Sequence, residues 1–184
     1  MQELDAITLK LAIKGDQKAY KKLYDHYAPF IWKVLFPMSN RDMMIARELT
    51  QNTFVKAFRA ADSFRGDSAY STWLYRIAYS TAMEHFRKTR SLPATGTDPD
   101  LLGSTERSDS FDNRELVAKI LATLSADDRF LIIAREVDAV SFEDLAEITG
   151  AKAGALRTRL HRLKETIRNA FPVEEVTAAG GYHG

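Results

Sequence analysis

The chain has 184 residues, 45% of them hydrophobic and 28% charged, with 26 Lys and Arg against 25 Asp and Glu. That length and apolar share can supply a core, which excludes wholesale disorder, and a net charge of +1 excludes a histone-like polycation or an acidic tail protein. The absence of Cys excludes disulfide scaffolds and thiolate metal or redox sites, and it fits a reducing cytoplasm.

The opening MQELDAITLKLAIKGDQ breaks each apolar run with a charge, too soon for a signal-peptide core. Nowhere do about eighteen apolar residues follow one another, so a soluble, unexported chain is expected. Apolar residues then recur at spacings of three and four without strand-like alternation, which makes the expected fold class all-α. Helices are predicted over about 5–14, 17–36, 42–61 and 70–90, separated by turn and cap residues such as Gly15-Asp16 and Pro37-Met38-Ser39-Asn40. The stretch SLPATGTDPDLLGSTERSDS, Ser91 to Ser110, has two Pro, two Gly and no periodicity, and it reads as a flexible acidic linker over 91–111. Beyond it, helices are predicted over about 113–123, 127–137, 142–148 and 151–171, with Ser125 and Ser141 as N-caps. The expected architecture is two small helical domains on a tether: an N-terminal helical bundle at 1–90 and a C-terminal helix-turn-helix at 112–171. The tail 172–184 is expected to be disordered.

The near-neutral total hides local asymmetry. Residues 41–90 carry nine basic and five acidic residues (+4) and residues 150–170 six and one (+5); residues 91–115 carry two and six (−4) and residues 125–149 two and seven (−5). Each domain thus ends in a basic helix. A single such helix is as well explained by solvation, but two in one chain favour contact with a polyanion.

The sharpest local pattern is FEDLAEITGAKAGALRTRLHR from Phe142. Ala146 is small where two helices would cross, Gly150 tolerates a positive φ at the turn, and Ala153 and Leu156 face back from the second helix, as a helix-turn-helix requires. At 100° per residue, Leu156, Leu160, Leu163 and Ile167 form one stripe, while Gly154, Thr158, His161 and Arg162 point the other way with Arg157 beside them. An ordinary helical hairpin with a basic outer face would share this pattern. In the helix from Tyr70, one face carries Arg76, Ser80, Met83, Arg87 and Arg90, with Trp73 and Ile77 alongside and Phe64, Arg65, Gly66 and Tyr70 in the loop before it. Arginines next to exposed aromatics suit unpaired bases, although for Trp73 or any one of the tyrosines packing in the bundle is the better reading. The helix over 42–61 places Leu49, Thr53, Phe54, Ala57, Phe58 and Ala61 on a wide apolar arc, with Glu48, Gln51, Asn52, Lys56 and Arg59 around an outward Val55, the outline of a protein contact. Catalysis finds no support: the four histidines are scattered, His161 and Glu165 lack a third ligand, and no phosphate-binding Gly loop is present.

Together, ELTQNTFVKAFRAADSFRGDSAYSTWLYRIAYSTAMEHFRK and LSADDRFLIIAREVDAVSFEDLAEITGAKAGALRTRLHRLKETIR resemble the two blocks of bacterial extracytoplasmic-function (group IV) sigma factors, over about residues 16–171. DSFRGDSAYSTWLYRIA is the most specific part. The resemblance implies a cytoplasmic, non-enzymatic subunit, without cofactor or metal, that binds core RNA polymerase and directs promoter-specific initiation, in a stress or envelope response. It implies polymerase docking through Glu48, Leu49, Gln51, Asn52, Val55 and Lys56. It implies minus-ten recognition and melting by Phe64, Arg65, Tyr70, Trp73, Arg76, Ser80, Met83 and Arg87, with the loop from Ser63 to Tyr70 capturing a flipped non-template base. It implies minus-thirty-five recognition in duplex DNA by Lys152, Gly154, Ala155, Arg157, Thr158, His161 and Arg162, and an anti-sigma partner. Asn52 stands where the family usually has an acid and Ser80 where Asn is frequent. The rival from another class is a stand-alone helix-turn-helix regulator, which would need a sensor or dimer interface in its first domain.

Overall fold

The computed structural model describes residues 3–91 and 113–171, which form helices and the short segments that flank and join them. Four helices form the first group: α1 (Ala6–Ile13), α2 (Gln17–Met38), α3 (Met43–Arg59) and α4 (Tyr70–Ser91), with a 3₁₀ turn at Ala61–Ser63. The second group comprises α5 (Asn113–Thr123), α6 (Ala126–Ile132) running into a π turn at Ile133–Val137, α7 (Phe142–Thr149) and α8 (Ala153–Ala170). The linker expected at 91–111 lies outside the described residues except for Ser91 at its start, as do residue 112 and the tail 172–184.

Side chains start most of these helices. The Asp5 carboxylate accepts from Thr8 N at 2.8 Å, Asp16 from Ala19 N at 2.8 Å, and Asp42 from Met44 N and Ile45 N at 2.8 and 3.0 Å. Ser125 and Ser141 cap α6 and α7 by accepting from the amides of Asp128 and Asp144 at 3.2 and 2.9 Å, in line with expectation. Each such cap is worth about 1 kcal/mol.

Two boundaries differ from the sequence reading. The second helix continues through Pro37 to Met38, because a proline one residue from the end removes a single hydrogen bond and the terminus is otherwise satisfied. Ser39 N and Ser39 Oγ both bond Leu35 O, at 3.0 and 2.8 Å, and Met38 is fully buried. The helix predicted over 127–137 widens into the π turn, closed by Asp138 N on Ile133 O at 3.3 Å, which no apolar periodicity signals.

In the first group, α2 packs between α1 and α3, and α4 closes against α3 and α2. Tyr27 stands at its centre with no exposed surface; its hydroxyl accepts from Leu4 N at 3.0 Å and donates to Glu3 at 3.1 Å, and burial pushes its pKa up to about 12. In the second group α8 packs on α7 and α6. The groups are not apart: α4 packs on α7 and α6, and α2 on α6 and α5, so that one buried apolar cluster runs from Leu23, Tyr27 and Leu74 into Phe130, Leu131 and Leu145.

Candidate nucleic-acid interface

The turn between α7 and α8 is set by Gly150, whose φ of 74° is left-handed and which caps α7 through its N–H on Ala146 O at 2.9 Å. Leu156, Leu160 and Leu163 are buried against the domain, and the turn of the helix leaves Lys152, Gly154, Ala155, Arg157, Thr158, His161 and Arg162 exposed on its outer side. All seven predicted minus-thirty-five residues therefore share one solvent-facing surface. Among the described residues no side chain caps the first turn of α8, and an uncapped helix N-terminus favours an anion. Arg157 lies over the Phe142 ring at 4.8 Å and 3.7 Å from Glu143, which restrains the guanidinium. Arg159 is committed elsewhere, bonded to Asp128 at 2.6 Å, and His161 sits 3.8 Å from Glu165. Beside this face a groove lined by Ser125, Gly154, Thr158, Arg162 and Thr166 runs between α8 and the start of α6.

On α4, Arg76, Ser80 and Arg87 are exposed and Met83 is half-buried, as the helical projection expects. Arg65 is exposed in the preceding loop and Phe64 half-buried. The aromatic platform differs from expectation. Trp73 and Tyr70 are only 5% and 3% exposed, packed with Phe64 into a ring cluster with centroids 5.2–5.5 Å apart. The reason is the loop: Gly66, at φ 80°, lets the chain fold back so that Phe64 closes over both rings. These two side chains are the inner wall of the loop rather than its exposed tip.

On α3, Glu48, Gln51, Asn52 and Val55 are exposed, Val55 at 41%, with Asn52 Nδ2 donating to Glu48 at 3.5 Å. Leu49 departs from the expected contact set, being 1% exposed: it points into the bundle with Phe54 and Ala57. Phe58, expected on the inner arc, is 50% exposed and edge-on to Tyr20 at 5.1 Å. The Lys56 ammonium bonds Glu84 of α4 at 2.8 Å, and Lys88 bonds the same carboxylate at 2.7 Å; the two cations hold the Glu84 pKa down to about 2. Neither that tie nor the contacts of Arg129 could be read from spacing. Arg129, 7% exposed, donates to Met38 O, Leu124 O and Asn40 Oδ1. Among the described residues no cluster of three His, Asp or Glu is placed to hold a metal, and no helix is long and apolar enough to cross a membrane.

The comparisons with known proteins match both groups. Residues 23–92 fit the family model of Sigma-70 region 2, and residues 114–167 that of Sigma-70, region 4. The ECF RNA polymerase sigma-E factor of Escherichia coli K12 is 32% identical, covering 91% of this chain and 94% of that protein. The RNA polymerase sigma-H factor of Pseudomonas aeruginosa is 32% identical over 92% and 95%. Among solved structures, the sigma factor RpoE of Bartonella quintana, crystallised with the anti-sigma factor NepR, superposes with a TM-score of 0.61 at 26% identity, over 83% of this chain and 96% of that one. CnrH in complex with the cytosolic domain of CnrY shares the fold with a TM-score of 0.66 at 20% identity, over 89% and 94%.

Proposed function

The chain belongs to the extracytoplasmic-function sigma factors of RNA polymerase, which direct promoter-specific initiation and are not an enzyme family, and we propose how its surfaces divide that work. The exposed Glu48, Gln51, Asn52 and Val55 of α3 dock on core polymerase, with Lys56 held toward α4 by Glu84 and Leu49 supporting the face from beneath. Arg76, Ser80, Met83 and Arg87 of α4 lie along the minus-ten strand, Arg65 reaches it from the loop, and Phe64, Tyr70 and Trp73 shape the pocket wall beside a displaced base. Polar and cationic side chains suit this task, because guanidinium groups neutralise phosphate while the neighbouring apolar surface stacks. The outer face of α8 enters the major groove of the minus-thirty-five duplex, with Thr158, His161 and Arg162 nearest the base edges and Lys152, Gly154, Ala155 and Arg157 at the backbone. Its place of action is the cytoplasm, with the polymerase, and its inhibitory partner is an anti-sigma factor like that bound to the Bartonella relative.

The observation that carries this reading is that all seven predicted α8 residues are exposed on the outer side of the helix, away from the buried Leu156, Leu160 and Leu163. Arg162→Ala should weaken or relax upstream-element preference in transcription by reconstituted polymerase, since one good base-edge contact is worth about 1–3 kcal/mol of discrimination. Pre-melted downstream DNA should not restore it. Full rescue by a bubble template would refute the assignment of α8 to duplex recognition.

A further inference from the structure

Residues 10–22 carry five basic residues against one acid, Asp16, an excess of +4 that neither the polymerase face nor the DNA faces use. They belong to the hairpin of α1 and α2, which turns at Gly15 with a φ of 88°. Of the eight lysines between residues 3 and 91, four are spent on carboxylates: Lys21 on Asp25, Lys33 on Asp138 at 2.7 Å, and Lys56 and Lys88 on Glu84. The other four, Lys10, Lys14, Lys18 and Lys22, are exposed and have no ion pair among the described residues, and all four lie on this hairpin. The acids of residues 3–25 are by contrast engaged. Glu3 accepts from the Tyr27 hydroxyl and from Ser71 N, Asp5 and Asp16 cap helices, and Asp25 holds Lys21. The Thr8 N–H lowers the Asp5 pKa first and Lys22 lowers it further, which sets Lys22 beside the start of α1.

Apolar side chains share this edge. At about 100° per residue, Ile7 and Leu11 fall on the arc of α1 opposite Leu9, Ala12 and Ile13, with Lys10 and Lys14 beside them. Ala12 is buried, and Leu9 and Ile13 pack half-buried on the core, whereas Ile7 is 75% exposed and Leu11 46%. The helix is thus apolar on two sides, and α2 covers one of them. Because α2 packs between α1 and α3, it separates this ridge from the docking face of α3.

The side-chain chemistry distinguishes the ridge from the DNA-facing surfaces. Those place Arg beside hydroxyls, as in Arg76 with Ser80 and Arg157 with Thr158, while residues 3–25 contain no Arg and the exposed apolar pair is aliphatic. A guanidinium matches the fixed geometry of a phosphate, whereas an ammonium is a point charge that asks no particular arrangement of its partner. Projecting aliphatics add nothing to a phosphate contact in water. Beside lysines they suit a fluid interface, where acyl chains take up the aliphatic groups and anionic head groups take up the charge. We propose that the outer edge of the α1–α2 hairpin, Ile7 and Leu11 together with Lys10, Lys14, Lys18 and Lys22, docks on the surface of an anionic lipid bilayer. This docking does not rest on the sigma-factor reading. The chain lies on the leaflet by that edge, since no helix among the described residues is long and apolar enough to cross it.

Flotation of the full chain with lipid vesicles tests it. The chain should rise with vesicles of equal parts phosphatidylcholine and phosphatidylglycerol, stay behind with phosphatidylcholine alone, and be released as salt is raised. Lys10→Gln/Lys14→Gln should lower partitioning about 25-fold, or about fivefold for each charge removed. Ile7→Ser/Leu11→Ser keeps the charge and should lower it about tenfold. All four side chains are exposed, so the melting temperature of both variants should stay near wild type; if one of them loses helicity, the other carries the test. Arg157→Gln/Arg162→Gln, on α8, should partition like the wild type. Binding that survives Ile7→Ser/Leu11→Ser unchanged, or that is lost with the α8 pair instead, would be adsorption through charge alone and would overturn the proposal. So would a chain that ignores anionic vesicles but binds a polyglutamate peptide through the same hairpin residues, because the ridge would then serve an acidic protein.

Discussion

Trp73→Ala tests whether the indole belongs to the core or to the DNA face. The ring is 5% exposed and lies 5.5 Å from Phe64 and 5.3 Å from Tyr70, so truncation removes a buried aromatic and both ring contacts. A buried Trp cut to Ala costs about 3–5 kcal/mol, including the cavity left behind. For a domain of this size each kcal/mol lowers Tm by about 2–4 °C, so the fall should be on the order of 10 °C. Thermal unfolding followed by circular dichroism measures it, and Trp73→Phe should recover more than half of the loss by refilling the cavity. A cost below about 1 kcal/mol would refute the burial argument and return Trp73 to the role of an exposed stacking platform. The same magnitude governs how transcription results are read: a defect in Trp73→Ala reports folding first, whereas Arg76→Ala, at an exposed position, should leave stability within about 0.5 kcal/mol.

Val55→Glu places a charge at the apolar point of the α3 face, and should weaken binding to core polymerase while Tm stays within a few degrees of wild type; unfolding of the variant would mean that Val55 is core. Glu84 gives a pH signature. Its pKa is depressed to about 2 by Lys56 and Lys88, so the stabilisation it provides is present above the ordinary value of 4.5 and is lost as pH falls through about 2. The Tm gap between wild type and Glu84→Gln should therefore be full at neutral pH and close on acidification; a gap constant down to that acid limit would remove the ion-pair explanation. Ala139→Gly relieves a left-handed residue and should raise stability by about 0.5–1 kcal/mol, read as a higher urea midpoint, where a lower midpoint would show that the turn carries no strain.

Amphipathic spacing made the helices and the α8 face legible, because Leu156, Leu160 and Leu163 recur on the same side and Gly150 punctuates the turn. Caps at Ser125 and Ser141 were equally local, each needing only an amide three residues away. What spacing could not supply was the partner of a side chain distant in sequence. Trp73 projects next to Arg76 on a helical wheel, and its burial comes from Phe64 of the returning loop and from Tyr70, contacts that a wheel does not show. Leu49 fell within both the apolar arc and the docking set, and packing against Phe54 and Ala57 decides between them. The acids at 127, 138 and 144 showed as a charge excess with no address, since their donors lie 48 to 72 residues earlier on α4.

The Lys33–Asp138 pair spans 105 residues, and this separation carries a temporal consequence for biosynthesis. At about 5–20 residues per second, a ribosome that has just made Lys33 needs about 5–20 s to make Asp138. The first four helices contact one another locally and can fold within that interval. Every nascent chain therefore passes through a stage in which α4 displays Tyr75 and Tyr79 to solvent with no carboxylate yet synthesised to receive them, so the half that docks and the half that covers it meet as already formed bodies.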